Sequence, residues 1–206
     1  MSTSLSSPAN KVSLAWRPTD IVVAAVLAVA CGIIFWAWNS SYQVLAPLWA
    51  AFPPASSLIN GMWLFPAVLG GLIIRKPGAA LFVELVAAVI SAFLGSSFGM
   101  TVLASGLVQG LGAELVFAFF LYRKFHVIVA ILAGLATGLF GGVNDAYIFN
   151  WFPEYSETWK LVYVLGSMVS GAIAGVVAWL VTRALAKTGA LSSLRSRNAA
   201  VEPATR

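Results

Sequence analysis

The chain of 206 residues has one cysteine, one histidine, seven acidic residues and no stretch that reads as a polar domain. Each scarcity closes off a class of chemistry. With Cys31 alone, no intrachain disulfide can form. With His126 the single histidine and Cys31 on a different apolar run, a zinc site of His and Cys ligands has no donors. The same histidine, next to Arg123-Lys124, has no acid and nucleophile at its depth, so Ser-His-Asp hydrolysis is not expected and the chain reads as no enzyme. A Gly-rich nucleotide-binding loop is missing as well, so energy for any transport must come from a gradient or a partner. No metal and no cofactor is expected.

Charge is scarcest of all. Lys, Arg, Asp and Glu make up 9% of the residues, against roughly 25% in a soluble domain, while apolar residues make up 60%. Six apolar runs are each long enough for the roughly 20 residues a helix needs to cross about 30 Å of hydrocarbon. They cover about Pro18–Trp38, Ser57–Ile74, Gly78–Ser96, Thr101–Tyr122, Val127–Asn144 and Trp159–Leu185. Strands are excluded because a barrel needs short alternating segments. The first run is too long, and too poor in cleavage-site features, for a removed secretory signal.

Laying the runs end to end separates the twelve basic residues. Lys11, Arg17, Arg75, Lys76, Arg123, Lys124, Arg183, Lys187, Arg195, Arg197 and Arg206 fall on one side, and only Lys160 on the other. Basic residues stay on the cytoplasmic side during insertion. The expected fold is therefore an all-α integral membrane protein, six transmembrane helices in one compact bundle, with both termini cytoplasmic. Residues 1–17 form a cytoplasmic lead, 18–186 the transmembrane domain, and 187–206 a flexible basic cytoplasmic tail. The net charge of +5 belongs to topology and anionic lipid rather than to nucleic acid.

Against this apolar background the polar residues stand out. Glu84 lies about six residues into the third span and Glu114 about nine residues from the inner end of the fourth; an ionised group at mid-membrane costs roughly 2.5–3.5 kcal/mol even on insertion scales. Gln109 and Glu114, five positions and so about 140° apart on a helix, should not share a lumen, and Gln109 is the better pocket candidate. Glu114 is instead within reach of Arg123 and its basic neighbours. Nearer the outer side lie Asn60 and Trp63 at i and i+3, Trp38, Tyr42, Asn144, Asp145 and Trp151. The outer connections Asn39–Ser56 and Asp145–Thr158 concentrate Trp and Tyr, which either anchor the interface or cover a pocket. Together these residues outline an outward-facing cavity for an aromatic cation, with rings to stack on it and a carboxylate to offset its charge. Ala24, Ala28 and Gly32 form a small-xxx-small ridge on the first span, suited to close helix contact within the bundle or with a partner.

The segment Ile74-Arg75-Lys76-Pro77-Gly78-Ala79-Ala80-Leu81 followed by Glu84, with Gly61-Met62-Trp63 upstream, resembles the YkoE-type substrate-binding (S) components of energy-coupling-factor (ECF) vitamin importers, the thiamine and hydroxymethylpyrimidine branch. The likeness spans roughly residues 18 to 186. It implies high-affinity capture of thiamine, or of its hydroxymethylpyrimidine moiety, outside the plasma membrane of a prokaryote. It also implies partners: a transmembrane coupling (T) protein and a pair of cytoplasmic ATPases, with transport by toppling of the S component. An alanine-rich helix surface for the T protein would fall on Ala24 and Ala28, and the pyrimidine-binding carboxylate on Glu84. Two other readings fit the residues alone, a proton-coupled exporter of aromatic cations working through Glu84 and a membrane scaffold with buried carboxylates.

Overall fold

In the computed structural model residues 13–205 are described; the expected lead up to Lys11, residue 12 and Arg206 lie outside them. The described residues form six α-helices, α1 (Pro18–Leu45), α2 (Gly61–Ile74), α3 (Ala79–Phe93), α4 (Thr101–Phe119), α5 (Val127–Val143) and α6 (Glu157–Lys187), and no strand. Among the described residues five helical stretches are long and apolar enough to cross a membrane, and α3 is a further, shorter apolar helix. The chain is a multi-pass membrane protein.

Helix ends follow local chemistry more closely than the apolar runs do. α1 continues seven residues beyond Trp38, through Asn39-Ser40-Ser41, because the Ser40 and Ser41 hydroxyls donate back to the Trp36 and Ala37 carbonyls inside the helix. Pro47 then opens a 3₁₀ turn, Ala46–Trp49. A second 3₁₀ segment, Pro53–Ile59, precedes α2, so much of the expected first outer loop is helical. α5 runs directly into a single π turn, Asn144–Ile148, closed by the Phe149 N–H donating to the Asn144 carbonyl at 2.8 Å.

The basic end of the bundle is tied together by charge pairs. Asp20, buried in the first turn of α1, accepts from the Arg17 backbone and guanidinium and from Lys76 Nζ at 2.5 Å. Lys76 also donates to the Ala15 carbonyl. Arg75 ends α2 in the left-handed conformation (φ 59°) and Gly78 enters α3 the same way (φ 82°), which turns the chain within three residues. Glu114 does not pair with Arg123. It accepts from the Gly78 and Ala80 N–H groups at 2.6 and 3.0 Å, and from the Tyr122 hydroxyl at 2.7 Å. A carboxylate there satisfies the free N–H groups of α3 and meets the positive end of its dipole. Burial and this contact hold the Tyr122 phenol above its usual pKa, so it stays a donor.

The tail, expected to be flexible, is packed on the basic end. Leu191 and Leu194 are buried, the Ser196 hydroxyl donates to the Ile73 carbonyl at 2.7 Å, and Arg195 donates to the Arg75 carbonyl. Arg75 makes a bidentate pair with Glu202 at 2.6 and 2.7 Å, while Arg183 donates to the Glu202 and Ala200 carbonyls. The segment 188–204 thus covers the basic end, with the Val127 N–H donating to Ala204. Small apolar residues and arginines that aim at backbone carbonyls do this without any amphipathic period.

Close helix approach occurs where glycines face each other. A Cβ on Gly134 of α5 would strike the Gly171 carbonyl of α6, and the reverse holds. The α1 ridge is also an internal contact: Ala24 and Ala28 are fully buried, and a Cβ on Gly32 would strike Ile90 of α3. The expectation that Ala24 and Ala28 dock a partner is corrected by that packing, since the face α1 leaves exposed carries Val22, Val26 and Ile33 instead.

Two predictions follow from this end of the bundle. Lys76→Met leaves Asp20 short of its buried partner and is expected to cost about 3–5 kcal/mol, read as a lower unfolding midpoint in detergent; adding Asp20→Leu should restore much of it. Truncation after Lys187 uncovers Ile73 and Arg75 and should lower the midpoint clearly, where removal of a mobile tail would leave it in place.

Candidate functional site

A cavity of about 270 Å³ opens toward the other, aromatic end, lined by residues of α1–α4 and α6, the π turn after α5 and the connections between helices. That is near the lower edge of the roughly 300–1,000 Å³ of small-molecule sites. Its depth is set on α3 and α4. Glu84 is nine residues from the outer end of α3 and Gln109 eight from that of α4, each roughly 12–14 Å down. Gly106 and Gly110 let α4 lie against α3 there: a Cβ at Gly110 would press on Leu81 and Glu84, and one at Gly106 on Ala88.

Glu84 is fully buried, and among the described residues neither of its carboxylate oxygens has a hydrogen-bond partner. Buried polar groups are paired in the great majority of cases, so a carboxylate that lines a cavity with neither oxygen paired is the candidate ligand group of this site. The other three acids drawn into the helical body, Asp20, Glu114 and Asp145, all accept hydrogen bonds.

Asp145 lines the same cavity from the π turn after α5. Its oxygens accept from the Asn144 side-chain amide at 3.2 Å and from the Tyr163 hydroxyl at 3.3 Å. Asn60 donates to Tyr163 and Ser167, both at 3.0 Å, which ties α2 to α6 at this wall. Among the described residues the lining carries these two carboxylates and no Lys, Arg or His. Lys160 sits apart, over the Tyr147 ring at 5.4 Å and 3.4 Å from Glu157.

The mouth is a chain of rings in edge contact. Tyr42 meets Trp63 at 5.2 Å, Trp63 meets Phe98 at 6.0 Å, and Phe98 meets Trp151 at 6.0 Å. Trp63 is held in orientation by Asn39, which accepts from its indole N–H at 2.8 Å and donates to Ser96 at 2.7 Å. Behind them Phe152 stacks on Tyr155 at 4.6 Å. Burial pushes the Tyr155 phenol up to about 12, so it stays neutral.

Of the residues singled out in the sequence, Glu84, Gln109, Asn60, Trp63, Tyr42, Asp145 and Trp151 line one cavity. Trp38 does not. Its half-buried indole lies off the lining, although Phe35 and Asn39 of the same helix belong to it. Asn144 stands one step behind, supporting Asp145 and bonding Ser105 at 3.2 Å. Glu114 lies at the opposite end. Phe98 was not foreseen: it belongs to the short connection 94–100, where Gly95 and Gly99 take positive φ, and only its spacing between two glycines hinted at a ring placed on purpose.

A helical membrane bundle around a closed-floored cavity, with an unpartnered carboxylate and aromatic walls, defines a substrate-binding membrane protein rather than an enzyme. The family described as ABC-type cobalt transport system, permease component, matches residues 19–140. A Bacillus subtilis (strain 168) protein that carries the name HMP/thiamine permease protein YkoE is 32% identical over 180 residues, covering 87% of this chain and 89% of that protein. A crystal structure of an S component of an ECF transporter superposes with a TM-score of 0.81 at 31% identity, over 88% of this chain and 91% of that one. The chain belongs to the YkoE family of ECF-transporter S components. The cobalt of the family description has no counterpart in the side chains: among the described residues no three His, Cys, Asp or Glu come together as ligands.

The Asn39 contact is testable by itself. Asn39→Leu keeps the volume but leaves the Trp63 indole unpaired, and should cost about 1–3 kcal/mol of stability, measured by detergent unfolding with helicity unchanged in far-ultraviolet dichroism.

Proposed function

We propose that this protein captures thiamine, or its hydroxymethylpyrimidine moiety, from outside the plasma membrane of a prokaryote, as the S component of an ATP-driven ECF importer. In this reading both termini and the basic end are cytoplasmic, in line with the distribution of Lys and Arg, and the cavity faces out. The observation that carries it is Glu84, a carboxylate without a partner at the foot of an aromatic cavity. An aminopyrimidine offers that group an exocyclic amine and a neighbouring ring nitrogen, a two-point contact that becomes charge-assisted when the ring is protonated. Gln109 supplies a further donor and acceptor at the same depth, and Trp63, Tyr42 and Trp151 supply ring faces.

The relative's name speaks for a thiamine-related ligand, and the likeness to an S component speaks for coupling to a T protein and cytoplasmic ATPases. The T protein would meet a surface other than Ala24 and Ala28.

Glu84→Gln is the direct test. Calorimetry on the purified protein in detergent should give nanomolar thiamine binding that weakens at least about 100-fold in the variant, the order of a buried charged hydrogen-bond partner lost. Tight binding untouched by the substitution would move the site elsewhere. If the wild type bound neither thiamine nor the pyrimidine, and instead moved aromatic cations along a pH gradient without any ATPase, the importer reading would fail.

A further inference from the structure

The cavity holds two carboxylates at two depths, and the second has a different setting from the first. Glu84 sits at the foot of the cavity, nine residues below the outer end of α3. Asp145 sits beyond the end of α5, on the π turn that shifts the helix register by one residue just there. Such turns recur at functional positions because the extra residue re-aims a side chain. Asp145 accepts two hydrogen bonds, both from neutral donors and both long, at 3.2 and 3.3 Å. A carboxylate has about four acceptor positions, so it keeps room for more. Among the described residues no Lys or Arg forms an ion pair with it. Trp151, Phe152 and Tyr163 line the cavity with it.

A negative group set among ring faces, at the mouth of a cavity without cations, fits a cationic ring and repels an anion. We propose that Asp145 is the specificity determinant that reads the positive charge of a two-ring ligand. Resting on the importer reading above, the ligand lies with its aminopyrimidine on Glu84 and its thiazolium between the mouth aromatics and Asp145. Asp145 then separates thiamine from the hydroxymethylpyrimidine, which has no permanent charge. It also disfavours thiamine phosphate esters, whose anionic group extends from the thiazolium end toward the same carboxylate. Asn144 and Tyr163 position Asp145 from behind.

The test is a matrix of dissociation constants by calorimetry in detergent. Thiamine, hydroxymethylpyrimidine and thiamine monophosphate are titrated into the wild type, Asp145→Asn, Asp145→Glu and Glu84→Gln. The readout is the ratio of thiamine to pyrimidine affinity, with unfolding midpoints taken alongside. Asp145→Asn should lower that ratio by roughly 30-fold, the order expected when one partner of a desolvated charge pair is neutralised. It should also narrow the gap between thiamine and its monophosphate. Asp145→Glu should hold the ratio, and Glu84→Gln should weaken both ligands together. Equal losses for both ligands in Asp145→Asn would make Asp145 a structural residue and overturn the assignment. A ratio that collapses in Glu84→Gln and not in Asp145→Asn would reverse the ligand and overturn it as well. If the wild type took up neither thiamine nor the pyrimidine, the importer reading itself would fall, and this assignment with it.

Discussion

The register of α3 governs the rest of the molecule, and it is fixed from its first turn. Glu114 of α4 accepts from the Gly78 and Ala80 N–H groups, and the Asp20–Lys76 pair holds the preceding connection to α1. Both contacts lie in surroundings of low dielectric, where a charge without a partner costs several kcal/mol. The turn at Arg75 to Gly78 therefore has one arrangement in which its charges are satisfied. Glu84 comes five residues after Ala79, so its depth and direction are set before any contact of its own is considered. That order of causes explains how a carboxylate with no partner stays where it is: neighbouring pairs fix the helix, and the helix carries the carboxylate.

The two ends of the bundle are built on different principles. At the basic end, ion pairs and arginine contacts to backbone carbonyls join α1, the α2–α3 turn, α6 and the tail. At the aromatic end the walls meet through ring edges and through neutral hydrogen bonds such as Asn39 to Trp63 and Asn60 to Tyr163. Ring contacts of this kind contribute about 0.5–1.5 kcal/mol each beyond the area they bury and can be made again in a shifted geometry. A buried charge pair cannot be broken and remade so cheaply. The cavity lies between a fixed floor and an adaptable mouth.

Much of this was legible in the residues, and the exceptions have causes. Apolar runs of membrane length and the grouping of Lys and Arg located all six helices, with α1 longer than its run because Ser hydroxyls can stay inside a helix beyond the hydrocarbon. Glu84, Gln109 and Asp145 were legible because a polar group in an apolar run needs a reason. The partner of Glu114 was not, because a helix N-terminus carries no side-chain charge and does not show in a charge pattern. The ridge at Ala24 and Ala28 announced close packing, but small residues do not say which helix approaches. The tail was missed because its contacts depend on Leu191, Leu194 and Ser196 meeting carbonyls and apolar surface brought together only by the fold.

The asymmetry between the ends bears on how a bound molecule would leave toward the cytoplasm in the importer reading. A path through the basic end would have to part Arg75 from Glu202, Lys76 from Asp20 and Glu114 from the first turn of α3, and move the packed tail aside. Losing that set together would forfeit a large share of the roughly 5–15 kcal/mol that holds a protein of ordinary stability folded. Opening the mouth disturbs ring edges and hydrogen bonds and, among the described residues, parts no ion pair between helices. Release at the cytoplasmic side is then less costly if the bundle turns as one body and presents its mouth there. The smooth apolar face of α1, with Val22, Val26 and Ile33 outward, puts no fixed charge in the way of such a turn.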